Sequence, residues 1–203
     1  MKNMLKDTFI LFMITLFAGL ILSVVYEVTK EPIAVQEEKN RQEAFAAVFD
    51  TGEQFESVEI DMMTVETVLT EAGISGVTIE EVVQALGSDG KLLGYCITVT
   101  SHEGYGGDIK LTVGVTVDGV LNGISILEIA ETPGLGMKAE SDLQPQFEGK
   151  AVSQFEYTKT GAVMDNQIDA ISGATITTKA VTNAVNAGLE VFHTVLLGGD
   201  GNE

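Results

Sequence analysis

Eighteen consecutive residues, Thr8 to Val25, carry no charge and are dominated by Phe, Leu, Ile, Val and Met. As an α-helix this run rises about 27 Å, at about 1.5 Å per residue, close to the thickness of the hydrocarbon core of a bilayer. Tyr26 follows where an interfacial aromatic belongs, Lys2 and Lys6 precede the run, and Glu27, Lys30 and Glu31 come after it. The positive-inside bias therefore keeps the N-terminus cytoplasmic and exports everything beyond residue 26. A cleaved signal peptide shares the basic start, but Ser23-Val24-Val25-Tyr26 lacks the Ala-x-Ala form of a cleavage site, which favours a retained anchor. No charged group interrupts the run, so this helix offers no path for an ion. It holds the rest of the chain at the membrane.

The exported remainder is strongly acidic. The chain has 30 acidic against 11 basic residues, and residues 1–30 contain only Asp7 and Glu27 of the former with Lys2, Lys6 and Lys30 of the latter. A net charge of -19 argues against nucleic acid as a partner and against electrostatic docking on anionic lipid. Cys96 is the single cysteine, which excludes an intramolecular disulfide and a thiolate cluster for Fe–S or zinc; its apolar surroundings, Leu92 to Val99, read as core. His102 and His193 are too few for a metal site, and a Ser-His-Asp hydrolase would need one of them held by a third group. No nucleophile-elbow pattern is present.

Periodicity divides the chain into an anchor (1–30), a helical connector (31–77), a folded domain (78–197) and a mobile tail (198–203). Residues 34–49 read as an amphipathic helix following Pro32, with Ala44, Phe45, Val48 and Phe49 as its apolar side. A short helix is expected around Val65–Ala72, closed by Gly73. From Thr78 the pattern turns to strands. Val82–Leu86 and Leu92–Thr100 flank the turn Ser88-Asp89-Gly90, and Ile109–Val117 alternates strictly before Asp118-Gly119 and Val120–Ile129. Phe155–Thr158 adds a further strand, and Thr177–Leu197 closes the domain as a helix with Ala180, Val181, Ala184, Val185, Leu189, Phe192 and Leu196 on its packing side. The class is α+β: a twisted, mostly antiparallel sheet with packed helices, behind one transmembrane helix.

The chemistry concentrates just before that last helix, in Asp169-Ala170-Ile171-Ser172-Gly173-Ala174-Thr175. A Gly-Ala pair turns the backbone tightly with little bulk, so that Thr175 presents its hydroxyl outward. The free N–H groups of a helix start would face the same spot and favour an anion. An ordinary capped helix is the plain alternative, since Ser172, Thr175, Thr177 and Thr178 are all capping residue types. Two glycine loops precede the motif: Gly104-Tyr105-Gly106-Gly107 before the alternating strand, and Glu131-Thr132-Pro133-Gly134-Leu135-Gly136 after the second hairpin. Either could be no more than a turn, yet glycines also let backbone approach a flat ring, and Pro133 stiffens its loop.

The seven-residue run has the form Asp-x-x-Ser/Thr-Gly-Ala-Thr. It resembles the flavinylation motif of the FMN-binding subunits of Rnf complexes and of Na+-translocating NADH:quinone reductase. The two glycine loops, in their order and location, resemble the same family, over about residues 80–197. The modest length and Met137-Lys138 resemble the Rnf G subunit more than the longer C subunit of the quinone reductase. The resemblance implies FMN esterified through its phosphate to Thr175 by a dedicated flavin transferase that uses FAD; Thr177 and Thr178 are chemically competent too, and the choice of Thr175 rests on the resemblance. It implies a cofactor site of Thr175, Ser172, Gly173, Ala174, Asp169 and Thr178. Thr132, Leu135 and Tyr105 would contact the isoalloxazine, with Glu131 either touching the flavin or, preferably, bonding backbone N–H groups of the loop. Lys179 either offsets the phosphodiester or is a solvated lysine.

By resemblance the protein is a membrane-anchored electron-transfer subunit. It would relay electrons among other membrane and redox subunits of a ferredoxin:NAD+ oxidoreductase that moves Na+ or H+, with its flavin outside the cytoplasm. No residue reads as a catalytic acid or base of its own. A free-standing extracytoplasmic flavoprotein reducing an external acceptor is the rival, and a colourless binding module is the third class.

Overall fold

The computed structural model describes residues 2–198; of the stretch expected as a tail, 199–203 lie outside the described residues. Two compact units result, one reaching to Arg41 and the other beginning at Gln42.

The first helix, α1 (Lys2–Val48), contains an 18-residue window of mean hydropathy 2.6 with none of it buried. Phe9, Phe12, Ile14, Phe17 and Ile21 are all exposed, so the helix is apolar all round. A helix of that kind is long and apolar enough to cross a membrane. The expected break at Pro32 is absent, and the helix runs through it. Proline leaves one carbonyl without its donor, a loss that a long helix flanked by good helix formers can absorb. The Thr29 hydroxyl donates back to Val25 O at 2.9 Å within the turn before it.

The second unit is built on a five-stranded antiparallel sheet in chain order: β1 (Gln54–Val58), β2 (Val77–Leu86), β3 (Leu92–Ser101), β4 (Ile109–Thr116) and β5 (Leu121–Ile129). α2 (Met62–Glu71) joins β1 to β2, starting three residues before the expected position because Asp61 caps it and accepts the Met63 N–H. The 31–77 connector, expected to be helical, contains β1 as an edge strand. Five residues with one large apolar side chain, Phe55, carry too weak an alternation to be read from sequence. β2 begins five residues earlier than expected; Glu80 and Glu81 break its alternation, and the register shifts between Ile79 and Glu81.

Alternation along β3 and β4 sends Ile97, Val99, Leu111, Val113 and Val115 to one face. There they pack on α3 (Thr175–Val191) through Ala180, Val181, Ala184, Val185 and Leu189. The seven apolar positions expected on the last helix are all buried, although its final turn widens over Phe192–Leu196. The opposite face carries Val83, Ala85 and Cys96 beneath Phe45, Val48 and Phe49. Gly94 and Gly114 make that approach feasible: a Cβ would meet Phe49 Cζ at 2.7 Å and Val48 Cβ at 2.6 Å, respectively. Between β5 and α3 the chain makes short turns over Gly136–Lys138, Ala139–Leu143 and Gln144–Gln146. A two-stranded parallel pair follows, β6 (Glu156–Thr158) with β7 (Gln167–Asp169).

Candidate functional site

α3 starts at Thr175 behind a turn that its sequence dictates. Gly173 has φ 78°, a left-handed conformation costly for any side chain, and a Cβ there would stand 3.2 Å from Leu135 Cδ2. The Ala174 N–H donates to Ile171 O at 3.0 Å. Thr178 locks the turn from inside the helix, accepting the Ile171 N–H at 3.1 Å and donating to Ala174 O at 3.0 Å. Asp169 works outward: its Oδ1 accepts the Ala162 N–H at 2.6 Å, while its own N–H donates to Gln146 Oε1 at 2.7 Å.

The residue at the N-cap is Ala174, and no side chain among the described residues caps the helix. The plain reading of the motif as a Ser- or Thr-capped helix therefore does not hold; Ser172 is exposed and does not reach back. The first-turn N–H groups at Thr175, Ile176 and Thr177 have no intrahelical acceptor, and no capping side chain substitutes for one. Such an end attracts an anion.

The two glycine loops close on this helix start. The Thr132 carbonyl accepts N–H groups from Leu135 at 3.1 Å and Met137 at 3.3 Å, around Gly134 at φ 76°. Glu131 is 6% exposed, and its Oε1 accepts the Tyr105 N–H at 2.7 Å, tying one loop to the other. The glycines beside Tyr105 are needed for close packing, since a Cβ at Gly104 or Gly106 would run into the carbonyl of Gly107 or Ala130. Lys179 pairs with Glu103 at 3.0 Å, and Glu103 also accepts from Asn183 at 3.1 Å. In this structure Lys179 is an exposed, solvated lysine, as one of the two readings has it, and its ammonium pairs with Glu103 on a neighbouring loop.

Between the segments lies a cavity of about 500 Å³, within the range of small-molecule and cofactor sites. It brings Tyr105, Glu131, Thr132 and Leu135 to Gly173, Ala174 and Thr175. Asp169, Ser172 and Thr178 do not line it; Thr178 shapes the turn that presents Thr175, whereas Asp169 bonds the segments at Ala162 and Gln146. Gly136, Ile176 and Thr177 complete the wall; Gly136 ends the second glycine loop and Thr177 is an alternative acceptor in the sequence, whereas Ile176 carries no signal there. A Cβ at Gly136 would stand 2.7 Å from Glu131 Cβ and from Thr177 Oγ1, so the glycine keeps two polar groups at the cavity floor. Tyr105, Leu135 and Ile176 are well exposed and give its mouth an apolar rim.

The other candidate nucleophiles lie elsewhere. Burial, with Glu81 nearby, pushes the Cys96 thiol far above its ordinary range, so it is not a nucleophile at neutral pH. His102 does sit between a hydroxyl and a carboxylate, with Nε2 2.9 Å from Thr78 Oγ1 and Nδ1 3.1 Å from Asp108 Oδ1. That line is exposed and shares no residue with the cavity.

Similar sequences are found among known proteins. The family profile for the FMN-binding domain matches residues 104–190, and that for the RnfG N-terminal region matches residues 1–48. The G subunit of a Na+-translocating ferredoxin:NAD+ oxidoreductase complex from Acetobacterium woodii is 33% identical over 195 residues, 94% of this chain and 92% of that protein. The G subunit of an ion-translocating oxidoreductase complex from Aliivibrio fischeri is 27% identical over 198 residues, covering 96% and 92%. The G subunit of a proton-translocating ferredoxin:NAD+ oxidoreductase complex from Clostridium ljungdahlii is 42% identical over 101 residues, about half of each chain. Among solved structures, Shewanella oneidensis NqrC shares the fold at a TM-score of 0.50 and 23% identity, over 60% of this chain and 61% of that one. The chain belongs to the RnfG family, the G subunits of ion-translocating oxidoreductase complexes.

Proposed function

We propose that this protein is the electron-transfer flavoprotein subunit of an Rnf-type, ion-translocating ferredoxin:NAD+ oxidoreductase, carrying FMN joined through its phosphate to Thr175. The observation that carries the reading is the uncapped start of α3. Thr175 stands at its first position, partly exposed, on the wall of a cavity whose opposite side is the Tyr105 and Glu131 loops. A phosphoester there would lie against the free first-turn N–H groups, which offset its charge. The exposed apolar faces of Tyr105 and Leu135 suit an aromatic ring. Bound FMN supplies the redox chemistry, accepting and passing on electrons. The chain's own residues hold, orient and shield it: Gly173 and Thr178 fix the turn, Glu131 fixes the Tyr105 loop, and the walls exclude water from one side.

Attachment would form a bond between Thr175 Oγ1 and the flavin-side phosphorus of FAD, break the phosphoanhydride, release AMP and free the hydroxyl proton. A flavin transferase would catalyse it. We place the domain outside the cytoplasm on the charge pattern around Thr8–Val25, with residues 1–30 as its single-pass anchor and 78–197 as the flavin-binding part. A covalent link has a purpose there, where a dissociated flavin would be lost by dilution. The other membrane and redox subunits of the complex are its partners, and the translocated ion, Na+ or H+, passes through them.

The test is co-expression of the full chain with a flavin transferase, followed by flavin fluorescence of the denatured protein. Wild type should fluoresce and Thr175→Ala should be dark, with Thr177→Ala and Thr178→Ala still bright where folded. A dark wild type beside a labelled control substrate would overturn the reading and leave a colourless binding module.

A further inference from the structure

The threonines of α3 that face inward are satisfied within the protein, with one exception. Thr178 bonds at both ends, and Thr182 donates to Thr178 O at 2.8 Å. Thr177 is 1% exposed, and its hydroxyl makes no hydrogen bond among the described residues. Its one opening is to the cavity. Glu131 shows the same asymmetry. Oε1 is committed to the Tyr105 N–H, while Oε2 has no partner among the described residues and also faces the cavity. The two free oxygens flank one point: the position a Cβ on Gly136 would take lies 2.7 Å from Thr177 Oγ1 and 2.8 Å from Glu131 Oε2. Both residues are buried, yet neither oxygen is sealed off, so the two form a built site at the cavity floor that a ligand's polar atoms can reach and pair with.

The chemistry of the pair limits what it takes. A carboxylate oxygen only accepts, and it repels phosphate; a hydroxyl can donate. One acceptor beside one donor suits a flat group that presents N–H next to C=O. Resting on the FMN reading above, we infer that Thr177 Oγ1 and Glu131 Oε2 together read the imide edge of the flavin's pyrimidine ring, the carboxylate accepting from N3–H and the hydroxyl donating to an adjacent carbonyl. Thr177 is then a positioning residue for the ring, two residues from the threonine that carries it, and the phosphate is left to the helix N-terminus. The arrangement also sets the ring's electron affinity. Reduction loads electron density onto the carbonyls, so a donor there favours the reduced flavin, and a carboxylate against the imide disfavours it.

The experiment measures the midpoint potential of the flavin in the loaded full chain, in detergent, for wild type, Thr177→Val, Thr177→Ser and Glu131→Gln. Glutamine keeps a carbonyl for the Tyr105 N–H and replaces Oε2 by a donor. The inference expects a lower potential in Thr177→Val, a return toward wild type in Thr177→Ser, and a higher potential in Glu131→Gln. Equal potentials in all four, or shifts of one sign in Thr177→Val and Glu131→Gln, would overturn it. If Thr177→Val fails to load, the opposite displacement in Glu131→Gln still decides. A wild type without flavin would sink the FMN reading itself; a loaded wild type with unmoved potentials would sink only this inference.

Discussion

Gly136 shows how much a single missing atom can govern. Its place at the cavity floor leaves Glu131 and Thr177 in contact range of the space a side chain would fill. Gly136→Ala forces its neighbours apart by overpacking, at a cost of about 1–3 kcal/mol. The site, not the fold, should bear this: far-UV circular dichroism should match wild type, while flavin occupancy after co-expression with a transferase should fall several-fold. Unchanged occupancy would mean that the floor tolerates displacement. Cys96 carries a different kind of residue-level consequence. Burial raises its native pKa above the unfolded thiol value of about 8.5, so both states are protonated below that pH and the thiol adds no pH dependence there. Above it the unfolded chain loses a proton that the native state keeps, and stability falls at up to about 1.4 kcal/mol per pH unit. Urea unfolding at pH 7 and pH 9.5 should show a larger loss for wild type than for Cys96→Ala; equal losses would speak against it.

At the level of elements, the central strands hold the site in place, because α3 packs on the same sheet face as Leu111 and Val113. Leu111→Ala should cost about 2–5 kcal/mol of unfolding free energy, whereas Val163→Ala, at a residue 88% exposed, should stay within about 0.5 kcal/mol. These long alternating strands are legible in the sequence, as are the apolar stripe of α3 and the first helix, because the α3-facing side of β3 and β4 carries Ile97, Val99, Leu111, Val113 and Val115 in alternation with small or hydroxyl residues; that the other side is buried too does not show in the pattern. β1 is not, since an edge strand of five residues is held by backbone pairing to β2 more than by its side chains. The continuity of α1 through Pro32 is hidden for a related reason: a proline signals a break only where nothing else sustains the helix. Within the site, Thr175 and both glycine loops are readable as motifs. Gly136 and Thr177 as wall residues are not. Neither shows its role until Glu131, distant in sequence from Thr177, folds against both. The place of Lys179 is hidden in the same way, its partner Glu103 lying on another loop.

For the whole molecule, the two units predict separable behaviour. Removing residues 1–25 deletes the apolar run and leaves the second unit's core, which begins at Gln42, intact. The shortened chain should stay in the supernatant without detergent and keep its sheet, as read by ultracentrifugation and circular dichroism; a truncated chain that still sediments with membranes would show that other surface binds them. In intact cells or spheroplasts, protease added outside should cut the wild-type domain if it is exported as proposed; a protected domain would contradict that placement. The proposed covalent bond to flavin would set this molecule apart from a simple membrane-tethered domain, and a peptide mass map of the full chain co-expressed with a flavin transferase reads that bond itself. One peptide, containing Thr175, should be heavier by one FMN less one water, with fragmentation placing the added mass on Thr175. An unmodified Thr175 peptide, or FMN on Thr177 or Thr178 instead, would refute the assignment.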